Sequence, residues 1–221
     1  MTRLSPIEDA LAAIARGEIV VVVDDEDREN EGDLIMAAQF ATPERIAFFL
    51  QHTSGVVCVT LTSERAQALS LTPMVQQNTE SQRTAFLVTV DAREGTTTGI
   101  SAADRATTIR ALVDPATRPE DLLRPGHIFP LEARQGGVLK RAGHTEAAVD
   151  LARLAGCAPV GVLCEIVSED RHDMARRPEL EGFCARHGLV MISIADLIRY
   201  RRRTEKLVRR VGSTPLDTSW G

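Results

Sequence analysis

Apolar positions along the chain switch between strand-like runs and helix-like faces. Glu18-Ile19-Val20-Val21-Val22-Val23 ends in a continuous β-branched run and reads as a buried strand over 19–23. Before it, Ile7, Leu11 and Ile14 recur at helical spacing. Ser5-Pro6-Ile7-Glu8 reads as that helix's start, with Ser5 as N-cap, Pro6 at the first helical position and Glu8 completing a capping box, and Gly17 stops it. A second strand fits 35–38. Thr42-Pro43 opens a helix with Ile46, Phe49 and Leu50 on one side, 55–61 reads as a strand, Ser63 caps a short helix to Leu69, and 85–90 is another strand.

Further along, Ser101-Ala102-Ala103-Asp104 starts a helix reaching Val113, and the proline-punctuated stretch 115–130 reads as irregular. A helix over 145–155 ends at Gly156, followed by a strand over 160–167, a polar loop over 168–178, a helix over 178–187, a strand over 189–194 and a final helix over 195–211. Strands and helices alternate irregularly, with no long linker and no repeat. The simplest reading is one α/β-type domain whose mixed sheet is covered by helices on both faces.

Composition narrows the class. With 221 residues, 43% of them apolar and 26% charged, the chain is expected to be a soluble globular protein with a sizeable core. The longest apolar runs are strand-sized, which argues against a membrane span, and the N-terminus lacks the layout of a secretion signal, which favours the cytoplasm. Cys58, Cys157, Cys164 and Cys184 show no C-x-x-C spacing, so free thiols are expected. A net charge of −5 argues against a general nucleic-acid binder.

Charge is concentrated in one place. Residues 24–33 read Asp-Asp-Glu-Asp-Arg-Glu-Asn-Glu-Gly-Asp, a net −6 in which only Arg28 opposes the carboxylates. Like charges packed at a strand end repel, so something cationic is expected there, and a divalent metal and Arg28 are the natural candidates. The bland alternative is a solvated loop. Against it stand Arg28, Asn30 and Gly32, whose placement suggests geometry, and the position at a strand end, where α/β sheets commonly build ligand sites. An EF-hand loop does not fit the spacing.

Other segments are weaker individually. In Arg141-Ala142-Gly143-His144-Thr145-Glu146, Gly143 permits close backbone approach and Thr145 is a candidate helix cap; with Arg141 the free N–H groups would form a phosphate cradle. Taken alone, the segment reads slightly better as a helix cap with an incidental histidine. Arg124-Pro125-Gly126-His127 sets a histidine in a rigid turn, either structural or catalytic. Glu165 interrupts an apolar strand and is either a general base or acid or an exposed strand end. Gly95-Thr96-Thr97-Thr98-Gly99 is an anion-binding or mobile loop, or simply a turn. The last helix carries Arg199, Arg201, Arg202, Arg203, Lys206, Arg209 and Arg210, which read as a solvated face rather than a nucleic-acid surface.

Taken in order, the acidic decapeptide, Thr-Ser-Gly-Val-Val-Cys at 53–58, Thr-Thr-Gly-Ile-Ser-Ala-Ala-Asp-Arg at 97–105, Arg-Pro-Gly-His at 124–127, Gly-His-Thr-Glu-Ala at 143–147 and Cys-Glu-Ile at 164–166 closely resemble the 3,4-dihydroxy-2-butanone 4-phosphate synthases of riboflavin biosynthesis. The resemblance covers Ser5 to Arg203. It implies an α+β fold, a single three-layer α/β/α domain with a mixed twisted sheet over 1–205, leaving 206–221 as a basic helix end and loose tail. It implies conversion of D-ribulose 5-phosphate to the butanone phosphate and formate, with Mg²⁺, in a cytoplasmic homodimer with sites near the subunit interface. Glu29 and His144 would be metal ligands; because histidine is less typical of Mg²⁺, Mn²⁺ is expected to substitute. Arg28, Glu29, Asp33, Arg141, Ala142, Gly143, His144, Thr145 and Glu165 would contact the sugar phosphate. His127 and Glu165 would be catalytic, with His127 serving the neighbouring subunit's site. In many bacteria such a domain continues into a GTP cyclohydrolase II domain; the sequence here supports only the first activity.

Overall fold

The computed structural model describes residues 4–206, 208, 211–213 and 215. Its centre is a seven-stranded mixed sheet in the order β4-β5-β3-β6-β2-β1-β7, formed by Val20–Val23 (β1), Gly32–Ala37 (β2), Cys58–Leu61 (β3), Val90–Ala92 (β4), Leu122–Glu132 (β5), Gly161–Glu165 (β6) and Val190–Ser193 (β7). The β1–β7 and β3–β5 pairs are parallel and the other pairs antiparallel.

Alternation along β1 shows why the valine run is uninterrupted. Val21 and Val23 enter a core with Leu34 and Met36, covered by Ile46 and Phe49 of α2 (Pro43–His52), Ile109 of α4 (Ala102–Val113) and Leu180 of α6 (Arg177–His187). Val20 and Val22 enter a second core with Ile7 and Ile14 of α1 (Ile7–Ala15), Leu151 of α5 (His144–Leu154) and Leu197 of α7 (Ile194–Thr204). Both faces of the strand are therefore dry, and the expected three-layer α/β/α domain is present. The short α3 (Ser63–Ala68) follows β3.

Several local expectations shift. Ser5 does not cap α1; its N–H donates to Met191 O at 2.8 Å, tying the N-terminal segment to β7. Thr62, not Ser63, caps α3, accepting from Arg65 N–H at 3.3 Å. Gly143 rather than Thr145 is the N-cap residue of α5, so His144 and Thr145 sit inside its first turn. The stretch expected to be a strand over 85–90 pairs only at isolated bridges until Val90. The segment expected to be irregular contains β5, which has 11 residues and is the longest strand described. Pro130 has no N–H to give, but its carbonyl still accepts from Leu87 N–H at 2.9 Å.

The final helix stops at Thr204, short of the expected Val211; Arg209 and Arg210 lie outside the described residues. Arg199, Arg202 and Arg203 are on its exposed side, but Arg201 is buried, donating to Asp150 Oδ2 at 2.7 Å and to Gly136 O at 2.8 Å. One member of the basic run is thus a strut between α7 and α5.

Candidate active site

The acidic run folds as a loop organised by its first residue. Asp24 Oδ2 accepts from Glu29 N–H at 3.1 Å and Arg28 Nη1 at 2.8 Å, and Asp24 Oδ1 accepts from Glu31 N–H at 2.9 Å. Arg28 also pairs with the Glu29 carboxylate. Asn30 adopts φ 54°, a left-handed conformation that asparagine tolerates. From outside the loop, Arg176 Nη1 donates to Glu29 O at 2.9 Å and Asn30 O at 2.6 Å. These contacts hold the carboxylates together against their repulsion.

Beneath the loop, β2 and β6 set two carboxylates opposite one another, because Asp33 and Glu165 are register partners in the antiparallel pair. The start of α5 brings His144 to the same place. Its Nε2 lies 3.1 Å from Val22 O, so that nitrogen carries a proton for the carbonyl. The other nitrogen, Nδ1, lies 3.7 Å from Glu29 Oε2 and 3.8 Å from Asp33 Oδ1. Donor atoms of Asp24, Glu29 and His144 all fall within 4.8 Å of one another.

Electrostatics shows what is missing from this cluster. Asp33 is buried and its Oδ1 has no hydrogen-bond partner. Burial pushes its carboxyl up to about 8; His144 opposes the rise, while Glu165, Glu29 and Glu31 add to it. Burial would lower the His144 imidazole, but the neighbouring Asp33, Glu29 and Asp24 carboxylates outweigh it and raise the ring to about 9. Glu29 is held below its ordinary value, by the neighbouring His144 imidazole first, with Arg28 adding to the effect. The cluster therefore has a deficit of positive charge, an orphaned buried oxygen and an imidazole nitrogen facing carboxylates. A divalent cation fits those groups. Asp24 is already committed to the loop's N–H groups, so Glu29 and His144 are the donors best placed to hold one.

The cluster opens into a cavity of about 230 Å³ whose wall includes Arg28, Glu29, Asp33, Arg141, His144, Thr145 and Glu165. A larger cleft between α2 and α6 also gathers carboxylates, imidazoles and guanidinia, among them His52, Glu169, Arg171 and His187, but among the described residues the orphaned buried carboxylate oxygen belongs to the cavity beneath the acidic loop. Arg141 is a strut across the cavity's rim. It donates to Glu146 Oε2 at 2.7 Å, to Thr84 Oγ1 at 2.8 Å and to Gln82 O at 3.2 and 3.3 Å. Glycine at 143 is needed for this: a Cβ there would lie 2.2 Å from Arg141 Nη1. Gly143 and the exposed Ala142 carry the backbone into α5 and do not line the cavity.

His127 is elsewhere. It lies on β5, half exposed, with Asp91 accepting from its N–H at 2.9 Å and lying 2.7 Å from its Nδ1. It is not in the cavity wall. Beside it runs the threonine loop, pinned by Asp104, which accepts from Thr97 N–H at 3.0 Å and from Gly99 N–H at 3.1 Å.

Sequence reasoning passed over Asp24 as the loop's organiser, and Cys58, Glu80, Thr84 and Phe86 as cavity wall. Glu80 had a readable signal. A carboxylate in the polar run Asn78-Thr79-Glu80-Ser81-Gln82 suits a turn, and here it accepts from Gln82 N–H and Thr84 N–H, each at 2.7 Å.

Comparison with known proteins agrees with this geometry. The family model described as 3,4-dihydroxy-2-butanone 4-phosphate synthase matches residues 8–200. Riboflavin biosynthesis protein RibBA of Salinispora arenicola is 59% identical over 100% of this chain and 52% of its own length. The bifunctional riboflavin biosynthesis protein RIBA 1, chloroplastic, of Arabidopsis thaliana is 59% identical over 98% of this chain and 40% of its own. The chain thus spans about half the length, or less, of these curated relatives. Among solved structures, a 3,4-dihydroxy-2-butanone 4-phosphate synthase in complex with two magnesium ions is 46% identical, with a TM-score of 0.87 over 91% of this chain and 98% of that one. RibBX of A. baumannii, a two-domain enzyme of the same name, is 51% identical with a TM-score of 0.92 over 98% of this chain and 64% of that one. A cavity that joins carboxylates, imidazole and guanidinium at the strand ends, and a match over nearly the whole domain, lead to one assignment: the chain belongs to the 3,4-dihydroxy-2-butanone 4-phosphate synthase family.

Proposed function

We propose that the chain converts D-ribulose 5-phosphate into L-3,4-dihydroxy-2-butanone 4-phosphate and formate, as a step of riboflavin biosynthesis. The observation that carries this reading is the pairing of Glu29 with His144 Nδ1 at 3.7 Å beside the orphaned Asp33 Oδ1, inside a cavity that also holds two arginines. Glu29 and His144 would hold Mg²⁺, with Mn²⁺ able to substitute. A magnesium complex of a relative supports a divalent metal. The bound cation would polarise the substrate ketone and steady charge on the sugar oxygens.

The protein's own groups do the rest. Arg28 lies at the cavity wall and orients the sugar hydroxyls and phosphate together with Asp33. Arg141 and Thr145 receive the phosphate beside the first turn of α5, where free N–H groups favour an anion. Glu165 accepts the proton at C3, since it reaches the cavity and sits at the end of β6. After skeletal rearrangement, C4 leaves as formate. The segment carrying Glu80 and Thr84, tied to Arg141, keeps water from the cavity mouth.

The active form is proposed to be a cytoplasmic homodimer in which His127 serves the neighbouring subunit's site. Its distance from its own cavity supports this. So do the exposed apolar residues Val56, Ile100 and Leu123 on the segments around it; Arg105 joins two of those segments by donating to Ile100 O and Gly55 O, each at 2.9 Å. The four unpaired cysteines suit a reducing compartment. Incubation with ribulose 5-phosphate and Mg²⁺, followed by formate detection, tests the assignment.

A further inference from the structure

Ser54 follows the C-terminus of α2 and lies against the end of β6. Its N–H donates to Glu165 O at 2.9 Å, and its hydroxyl donates to Glu165 Oε2 at 2.8 Å. The preceding Thr53 forms a bridge with Ile166, so the contact holds main chain and carboxylate together.

The direction of the hydroxyl bond follows from its neighbours. Ser54 Oγ accepts from Val56 N–H at 3.3 Å, and Cys164 Sγ lies 3.3 Å away. Burial pushes the Cys164 thiol up to about 12, so it keeps its proton and acts as a donor. A carboxylate has no proton to give, so the serine hydroxyl is the donor to Glu165 Oε2. Both side-chain contacts of Glu165, from Ser54 and from Cys164 Sγ at 3.8 Å, fall on Oε2, which leaves Oε1 for chemistry.

We propose that Ser54 is a positioning residue for Glu165: its amide and hydroxyl fix the carboxylate's orientation at the cavity wall and donate to its charged form. The proposal rests on Glu165 being the proton acceptor of the reaction proposed above. Ser54 itself does not line the cavity and would touch neither substrate nor metal.

The test is formate release across pH by the wild-type protein, Ser54→Ala, Ser54→Thr, Glu165→Gln and the double variant Ser54→Ala/Glu165→Gln. Loss of a hydrogen bond to a charged group should lower kcat in Ser54→Ala by about tenfold to a hundredfold, with KM changed less than about threefold. Ser54→Thr, which keeps the hydroxyl, should recover most of the rate. In the Glu165→Gln background, removal of Ser54 should add no further loss. An unchanged kcat in Ser54→Ala overturns the proposal, and so does an equal, additive loss in the Gln background, which would mark Ser54 as merely structural. If the wild-type protein releases no formate, the functional reading fails and this proposal falls with it. An active wild type with an unaffected Ser54→Ala contradicts Ser54 alone.

Discussion

His144 donates from Nε2 to the backbone carbonyl of Val22 across 3.1 Å, and that bond decides which of its nitrogens faces Glu29. The acceptor belongs to a fully buried strand, so the ring orientation is set by the sheet and not by the acidic loop. Replacing His144 with Ala is expected to abolish divalent-metal binding measured by calorimetry. Formate release should fall more than about a hundredfold while the circular dichroism spectrum is unchanged. Undiminished metal affinity in that variant would remove His144 from the ligand set.

Arg141 uses the fork geometry of its guanidinium, reaching Glu146, Thr84 and Gln82 at once. Lysine carries the charge but cannot make these contacts together. Arg141→Lys should therefore raise KM for the sugar phosphate about tenfold or more, with a smaller effect on kcat. Steady-state kinetics separates the two, and an unchanged KM would argue against Arg141 at the phosphate.

Gly99 lies where a side chain cannot. Its φ is +88°, and a Cβ would lie 2.1 Å from Asp91 Oδ2 and 2.7 Å from His127 Nδ1. Gly99→Ala should destabilise the fold by about 1–3 kcal/mol and push the Asp91–His127 pair apart. Chemical denaturation reads the first effect, and loss of formate release by protein still folded at the assay temperature reads the second. Full activity in Gly99→Ala would mean that the pair tolerates displacement.

Much of the architecture was legible because burial on both faces leaves a plain mark. The Val20–Val23 run could hardly be anything but a central strand, and Thr42 and Ser101 cap the helices their neighbours suggest. The strand β5 was hidden because Pro125, Gly126 and Pro130 are residues that interior strands avoid. Caps were misplaced at Ser5 and Thr145 because α1 and α5 begin after Pro6 and Gly143, residues that make no side-chain cap, while Ser5 turns its N–H to Met191 O. Glu29, Asp33, His144 and Glu165 were each readable as types able to hold a metal or move protons, and the fold gathers them in one cavity. Asp24 could not be singled out among its acidic neighbours, since its importance lies in which N–H groups it accepts from. The separation of His127 from that cavity is a fact of strand order, which no local pattern encodes.

Just after α7, Glu205 accepts from Arg201 Nε at 2.8 Å and Nη2 at 2.7 Å, and from Arg153 Nη2 at 3.0 Å. Chiefly through the Arg201 hydrogen bonds its carboxyl is held down to about 2. A folded value below the ordinary 4.5 means that the stabilisation is complete above pH 4.5 and is lost as pH falls toward 2. Because the side chain is partly exposed, Glu205→Gln should lower the melting temperature at neutral pH by only about 2–4 °C. That difference should shrink as the scan moves down through pH 4.5 toward 2, and a difference that persists at the acid end would contradict the ion-pair origin.

The central claim is that the cavity beneath the acidic loop cleaves a carbon from a ketose phosphate with the help of a divalent metal. The most direct measurement incubates the protein with D-ribulose 5-phosphate labelled with carbon-13 at C4 and follows the label by NMR, with Mg²⁺ and with excess EDTA. The account predicts labelled formate and unlabelled butanone phosphate in the first case and neither in the second. Label retained in a five-carbon sugar phosphate, or formate release that EDTA does not suppress, would contradict it.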